Sequence, residues 1–142
     1  MKKQQTNGKV IVVEHIDKDN YKEYIGKTVK VNGHVDLGYL GLTKLPINFT
    51  EVGGYFDCSE NQLTSLEGGP VKVGGVFRCP YNKLTDLVGA PKKVGGGFYC
   101  YENELTSLKG APEKVGRNFD CSHNPLKSFE GKPAFIGGEF SK

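Results

Sequence analysis

Hydrophobic and polar positions alternate over short segments that recur every 21 residues along most of the chain. In four of these segments a phenylalanine and a cysteine flank one variable residue, as at Phe56 and Cys58 or Phe77 and Cys79. Period-two alternation predicts a β-strand with one buried face. Self-similarity at a fixed period of this length predicts a β-rich solenoid, in which each repeat forms one turn.

The repeat extends beyond the four cysteines. Full units begin at Val31, Val52, Val73, Val94 and Val115. The first of these has Val35, Leu37 and Leu40 where later units have Phe, Cys and Asn, and a sixth unit stops after seven residues. We therefore expect about five turns over residues 31–142, with residues 1–30 outside the pattern.

The units that begin at Val52, Val73 and Val94 continue past the cysteine in the same order, with Asn, Leu-Thr-x-Leu and Gly-x-Pro. The two leucines are expected to fill the interior behind the strand. The asparagine is expected to bond the backbone of its own and neighbouring turns, because a buried amide needs partners. Gly-x-Pro turns the chain, and the Gly-Gly pair before each strand is expected to supply backbone freedom at a corner. About ten residues between strands favour irregular or 3₁₀ segments over long helices.

The four cysteines are open to three interpretations. Equivalent residues on stacked strands lie about 4.8 Å apart, so four of them form a line that a tetrahedral zinc site does not fit. A disulfide between neighbouring turns is geometrically closer, but the chain opens without an apolar secretory segment after its lysines. We favour the third interpretation, in which cysteine is a small apolar core residue, reduced and free of metal. No cofactor is expected.

The pattern Phe56-x-Cys58-x-x-Asn61-x-Leu63-x-x-Leu66 resembles a leucine-rich repeat. It also looks like the short 21-residue repeats of proteins found in bacteriophages and some bacteria. The resemblance covers residues 31–142 and implies a horseshoe with a curved parallel sheet that binds other proteins, without catalytic residues. The crossover rule for parallel strands adds that the solenoid is right-handed.

The two ends depart from the repeat. Residues 1–30 are predicted to form a small α+β cap, with residues 1–8 disordered, a strand over 10–13 and a short helix over 17–25 that begins at Asp19 as its N-cap. In the fifth unit Arg117, Pro125 and Phe129 break the pattern, so the end of the solenoid is expected to be less regular. Lys142 stands at a cysteine position, where a charge discourages further strand pairing.

Composition limits the partners. The formal net charge of +3 is too mild to indicate nucleic-acid binding, and no apolar run is long enough to span a membrane. Lys30, Lys72, Lys93 and Lys114 share one repeat position, where they form either a solvated column or a site for an anionic ligand. We expect a monomeric, single-domain, cytoplasmic protein.

Function is expected on the outward strand positions, because these vary while the interior repeats. Three columns run along His34, Tyr55, Val76, Gly97, Asn118 and Glu139; Asp36, Asp57, Arg78, Tyr99 and Asp120; and Gly38, Ser59, Pro80, Tyr101 and Ser122. Tyrosine and arginine are frequent interface anchors. The predicted partner-binding residues are Tyr55, Asp57, Arg78, Tyr81, Tyr99, Tyr101, Asp120 and His123.

Two functions from different classes are consistent with this sequence. The first is a non-enzymatic module that binds a partner protein through the concave strand face; the phage resemblance implies an inhibitor of a host protein, for example one in antiviral defence. The second is a structural solenoid that self-associates or acts as a spacer. Catalysis is not favoured, because the acid–base pairs that can be drawn, such as Asp120 with His123, have no nucleophile motif, phosphate loop or metal-ligand spacing beside them.

Overall fold

The computed structural model describes residues 9–142 as a β-solenoid of about six turns with almost no helix. The disorder predicted for residues 1–8 lies outside the described residues. We call residues 31–51, 52–72, 73–93, 94–114 and 115–135 rungs 1 to 5. The predicted repeat solenoid is therefore confirmed, and its turns follow the 21-residue units of the sequence.

The strands, numbered in chain order, form two parallel sheets that run along the solenoid. The first sheet contains β1 (Ile11–Val13), β2 (Thr28–Val31), β4 (Asn48–Val52), β6 (Lys72–Val73), β8 (Lys93–Val94), β10 (Lys114–Val115) and β12 (Phe135–Ile136). The second sheet contains β3 (Val35–Asp36), β5 (Phe56–Asp57), β7 (Phe77–Arg78), β9 (Phe98–Tyr99), β11 (Phe119–Asp120) and β13 (Phe140–Ser141).

The second sheet is the one that the Phe-x-Cys pattern predicts. Of the first sheet only the strand predicted over 10–13 was expected, and it is confirmed as Ile11–Val13. Each unit contributes a short strand to both, with the Gly-Gly corner between them. In the middle rungs a first-sheet strand has two residues, as in Lys72–Val73, and only the valine is buried. A single buried position shows no alternation, so periodicity cannot reveal such a strand.

Pairing within the second sheet is in register at the 21-residue spacing, so equivalent residues lie side by side. Phe56, Phe77, Phe98 and Phe119 are fully buried, and neighbouring rings stack with centroids 5.1 to 5.3 Å apart. Their planes differ by no more than 10°. The prediction that the phenylalanines point inward is confirmed. The outward residue that follows each phenylalanine is aligned with its equivalents on neighbouring rungs in the same register.

The four cysteines are free and fully buried beside the phenylalanine stack. Burial raises the pKa of all four thiols above the usual value, that of Cys121 to about 11. The Sγ of Cys58 lies 3.6 Å from the carbonyl oxygen of Arg78 on the next rung. Their role as small core residues is confirmed.

The asparagines bridge neighbouring rungs, as the sequence predicts. Asn82 donates from Nδ2 to the carbonyl oxygens of Cys58 (3.0 Å) and Cys79 (3.2 Å), and its Oδ1 accepts from the backbone N–H of Leu63 at 2.9 Å. Asn61 and Asn103 repeat the arrangement, and all three are buried. One side chain thus satisfies backbone groups of two rungs at the bend after the strand.

The glycine at the corner serves close packing rather than an unusual backbone conformation. A Cβ on Gly74 would lie 2.2 Å from the carbonyl oxygen of Gly53 on the preceding rung. The expected need for backbone freedom is therefore wrong at this position. It is right at the Gly-x-Pro turn, where Gly89 has a φ of +99°.

The N-terminal segment is a further turn of the solenoid rather than a separate α+β cap. Strand β1 pairs with β2, and Ile16 bridges to Val35, so the segment contributes to both sheets. The predicted helix shortens to one 3₁₀ turn, Tyr21–Tyr24, with no side-chain capping bond. The carboxylate of Asp17, rather than that of Asp19, organises this turn by accepting from the backbone N–H of residue 19 at 2.9 Å.

The fifth rung is regular in its backbone, contrary to expectation. Strands β10 and β12 pair in the 21-residue register, and so do β11 and β13. Phe129, one of the divergent residues, packs edge-on against Phe140 with ring centroids 5.5 Å apart. The substitutions change what covers the end of the core and leave strand pairing intact.

Candidate functional site

The predicted binding residues lie on the solvent side of the second sheet, on consecutive rungs. The pairing Asp36, Asp57, Arg78, Tyr99, Asp120, Ser141 is in register across the whole sheet. We call this side the variable face and define it by the four repeat positions equivalent to Tyr55, Asp57, Ser59 and Glu60. The third of these positions is only partly outward: Ser59 and Pro80 are buried and Tyr101 is half-buried.

Arg78, Tyr99 and Tyr101 form a cluster in the middle of the variable face. Arg78 Nη2 donates to the Tyr101 hydroxyl at 2.9 Å. Its guanidinium carbon lies 5.4 Å from the ring centroid of Tyr99 and 6.0 Å from that of Tyr101, within cation–π distance. These contacts hold the arginine, a long and otherwise flexible side chain, in one orientation on the surface. We call the three residues the arginine–tyrosine cluster.

Tyr81 extends the cluster towards the rim of the face. Its ring packs edge-on against Tyr101 with centroids 5.7 Å apart, and 46% of the residue is exposed. Desolvation by its neighbours, followed by the nearby Glu102 carboxylate, raises the pKa of the Tyr81 phenol.

Tyr55 is held by a residue that was not among the predicted site residues. Its ring stacks on that of His34 with centroids 4.2 Å apart and planes 16° from parallel. The backbone N–H of Tyr55 donates to His34 Nδ1 at 3.0 Å, so the histidine carries its proton on Nε2. The sequence signal for this contact was that His34 occupies the repeat position equivalent to Tyr55, one unit earlier.

A shallow open pocket of about 420 Å³ lies between the two groups of aromatic residues. It is lined by Tyr55, Asp57, Val76, Arg78 and Tyr99. Asp57 Oδ2 lies 3.9 Å from Arg78 Nε, too far for a hydrogen bond. The pocket thus offers aromatic and apolar surface with one carboxylate and one guanidinium at its edge.

Two predicted site residues also stabilise their own turns. Asp57 Oδ1 accepts from the backbone N–H (2.9 Å) and the hydroxyl (2.6 Å) of Ser59. Asp120 does the same for Ser122, at 3.0 and 2.6 Å. This Asp-x-Ser arrangement closes the bend after the strand, a common function of aspartate in turns.

Rungs 3 and 4 lack this turn motif. Arg78 and Pro80 replace Asp and Ser in rung 3, and Tyr99 and Tyr101 replace them in rung 4. Proline has no N–H and so needs no acceptor at that position. The local stabilisation found on either side is replaced by the arginine–tyrosine cluster, and this identifies rungs 3 and 4 as the centre of the candidate site.

Five residues along one edge of the face have a left-handed backbone conformation. Tyr39, Glu60, Tyr81, Glu102 and His123 have φ between +56° and +60°. This conformation costs roughly 1–2 kcal/mol for an L-residue and suits glycine, yet none of these positions is glycine. Strained backbone of this kind is frequent at functional sites. His123 belongs to this edge, on rung 5, and Tyr39, Glu60 and Glu102 are rim residues that sequence reasoning missed.

The lysine column lies on the other sheet. Lys72, Lys93 and Lys114 are exposed and paired in register in the first sheet, and Glu51 precedes them on β4. Their shared repeat position therefore corresponds to a real column. It is separated from the variable face by the Gly-Gly corner.

Residues 9–142 contain no group of three or more His, Cys, Asp or Glu side chains arranged to hold a metal ion. No helix in this part of the chain has the length and apolar character needed to cross a membrane.

Comparison with known proteins adds no relative. No protein-family model matches the chain, and neither a curated protein nor a solved structure matches it.

Proposed function

We propose that this protein is a non-enzymatic binding module that recognises a partner protein through the variable face. The observation that carries the proposal is the replacement of the Asp-x-Ser turn motif by the arginine–tyrosine cluster in rungs 3 and 4. On rungs 2 and 5 the hydrogen bonds of the Asp-x-Ser motif stabilise this turn locally. Residues that the fold does not require, on adjacent rungs and of the types that anchor interfaces, favour recognition.

The cluster is well prepared for binding. Immobilising a flexible side chain costs about 0.5–1.5 kcal/mol on association. Arg78 is already held by the Tyr101 hydroxyl and by two aromatic rings, and Tyr55 by the His34 ring. Much of this ordering cost is therefore met in the free protein.

The geometry favours binding over catalysis. Catalytic sites usually exclude water around the reacting atoms. The pocket between Tyr55 and Tyr99 is shallow and open, and the Asp120 carboxylate is engaged in the turn of its own rung. A broad, aromatic, preorganised surface suits a protein partner better than a small substrate.

The resemblance to short repeats of phage and bacterial proteins narrows the hypothesis to a host protein that is inhibited by binding. That narrower proposal rests on the resemblance alone. The binding role itself rests on the variable face.

Affinity capture with matched variants tests the proposal. The immobilised chain is exposed to lysate beside two variants, Tyr99→Ala and the double variant Lys93→Ala/Lys114→Ala. A protein retained by the wild type and the lysine variant but lost from Tyr99→Ala supports the proposal. Proteins retained equally by all three, or lost only from the lysine variant, contradict it.

A second candidate, a self-assembling solenoid, is favoured by the last rung. Phe129 and Phe135 are 42% and 51% exposed, and β12 and β13 each have one unpaired edge in the described structure. Exposed aromatic residues beside open strand edges favour association. Sedimentation equilibrium distinguishes the candidates, because a binding module stays monomeric whereas a building block forms larger species that Phe129→Ser and Phe135→Ser abolish.

A further inference from the structure

We propose that the partner presents a basic protein surface, in which lysine or arginine side chains surround an apolar anchor residue. This inference rests on the proposed function and adds the chemistry of the partner. It follows from the distribution of charge over the variable face, from the pocket at the centre of that face, and from the opposite sign of the first sheet.

The variable face is acidic although the chain as a whole has a formal net charge of +3. Six carboxylates occupy its four repeat positions: Asp36, Asp57, Glu60, Glu102, Asp120 and Glu139. Arg78 is the one lysine or arginine at these positions. The face is therefore negative on a protein that is otherwise basic, which is an arrangement that attracts cationic partners.

The negative charge is concentrated around the cluster rather than within it. Arg78 lies near Asp57, and its guanidinium contacts two tyrosine rings, so the centre is close to neutral. Among residues 9–142, Glu60 and Glu102 at the rim and Asp36, Asp120 and Glu139 towards the ends form no salt bridge. An aromatic centre within a charged rim resembles the usual anatomy of an interface.

The pocket defines what the centre would receive. Val76 lies between Tyr55 and Tyr99, and the three provide apolar surface on a scale that suits one side chain. Asp57 Oδ2 makes no hydrogen bond within the described residues and is available to a donor on that side chain. An aromatic residue, with basic neighbours that reach Glu60 and Glu102, fits this arrangement.

The first sheet would repel such a partner. Lys72, Lys93 and Lys114 form an exposed positive column there, and Lys92 adds to it. Electrostatic complementarity of this kind controls orientation and association rate more than final affinity. The opposite signs of the two faces direct a basic surface to the variable face and an acidic one to the lysine column.

Two synthetic peptides test the charge assignment without knowledge of the partner. One has the sequence Lys-Lys-Gly-Phe-Gly-Lys-Lys and the other Glu-Glu-Gly-Phe-Gly-Glu-Glu, both blocked at the ends. Each is titrated into the ¹⁵N-labelled full chain at low salt, and amide shifts are mapped by NMR. We expect the basic peptide to shift residues of β5, β7 and β9 saturably, and the acidic peptide to shift only residues near β6, β8 and β10.

Charge-reversal variants test whether the basic peptide binds the carboxylates at the rim of the variable face. Glu60→Lys/Glu102→Lys reverses two rim charges, whereas Glu104→Lys/Glu113→Lys reverses two exposed carboxylates off the variable face. The rim variant should weaken binding of the basic peptide at least tenfold, and the control variant less than twofold. Shifts scattered over both sheets, acidic-peptide binding on the variable face, or no saturable shift from the basic peptide up to about 1 mM each overturn the inference.

The same variants separate this inference from the proposed function. A captured protein that depends on Tyr99 but is insensitive to salt and to Glu60→Lys/Glu102→Lys leaves the binding role standing and makes the basic-surface inference wrong. A captured protein insensitive to Tyr99→Ala contradicts both. Salt-dependent binding that is lost in the rim variant and in Tyr99→Ala supports both.

Discussion

The ring of Tyr99 covers Gly97 on the surface of rung 4. A Cβ on Gly97 would lie 2.7 Å from Tyr99 Cε2 and 2.8 Å from its hydroxyl oxygen, and the glycine is buried beneath the ring. Other rungs have Tyr55, Val76 or Asn118 at the glycine position. The glycine therefore makes room for the tyrosine ring, which is then placed next to Arg78.

Gly97→Ala should disturb the candidate site and spare the fold. The new methyl group meets a surface side chain that can move, so we expect a change in unfolding free energy within about 0.5 kcal/mol. The displaced ring should reduce partner affinity by about tenfold, equivalent to roughly 1.4 kcal/mol. Denaturant unfolding and a binding titration check both values.

Gly95→Ala is the matched control for that substitution. Its Cβ would lie 2.2 Å from the carbonyl oxygen of Gly74, which is backbone and cannot turn away. We expect a loss of at least about 2 kcal/mol in unfolding free energy, because only a shift of the backbone of neighbouring rungs relieves this clash. Equal stability of Gly95→Ala and Gly97→Ala would contradict the packing described at the corner.

Glu60→Gly should stabilise the protein. Glu60 has a φ of +56°, which costs an L-residue roughly 1–2 kcal/mol, whereas glycine loses about 0.5–1 kcal/mol of chain entropy on folding. The net gain should be about 0.5–1 kcal/mol by denaturant unfolding. Glu104→Gly, at an exposed position without positive φ, should lower stability instead. A loss at both positions would show that the left-handed backbone conformation at Glu60 is not strained.

The buried thiols predict a pH dependence. The usual thiol pKa is 9.0, and burial raises that of Cys121 to about 11 and those of Cys58, Cys79 and Cys100 well above 9.0. The unfolded state then releases thiol protons first, so the stability contributed by the neutral Cys121 thiol is complete below about pH 9 and is lost as the pH rises through about 11. Unfolding free energy should fall between pH 8.5 and 10.5 more steeply in the wild type than in Cys121→Ala. Equal slopes, or rapid native-state alkylation at pH 8, would contradict this burial.

Asn82→Ala should be among the most destabilising single changes. It removes a side chain that bonds the backbone of two rungs and leaves the Leu63 N–H and the Cys58 carbonyl without that partner in a buried environment. The expected loss is about 3 kcal/mol. Gln62→Ala, at a neighbouring exposed position, should change stability by less than about 0.5 kcal/mol. Similar losses for the two variants would contradict the bridging role of the asparagine.

Much of this fold is predictable because a strict repeat converts sequence spacing into spatial position. Once Phe77 is assigned to the interior, the 21-residue period places Phe56 and Phe98 against it and aligns Arg78 with Tyr99. That single assignment is enough to predict four features: the phenylalanine stack, the burial of the cysteines, the asparagine bridges and the outward columns.

What escaped prediction depends on contacts that spacing does not encode. The first-sheet strands of the middle rungs, such as Lys72–Val73 and Lys93–Val94, have one buried residue each, so they produce no alternation. The left-handed φ of Tyr81 has no signal in a residue type that usually avoids it. Asp57 is a predicted binding residue, and the spacing did not indicate that its carboxylate also closes the turn at Ser59.

The most direct test of the binding role is a set of dissociation constants for the captured partner. Arg78→Ala and Tyr99→Ala should each weaken binding by about 2 kcal/mol or more while unfolding free energy stays nearly unchanged. Lys93→Ala/Lys114→Ala should leave the dissociation constant within about twofold of the wild type, because these side chains lie on the other sheet. Loss of binding in the lysine variant, with full affinity retained by Tyr99→Ala, would contradict the account and assign recognition to an anionic ligand on the lysine column.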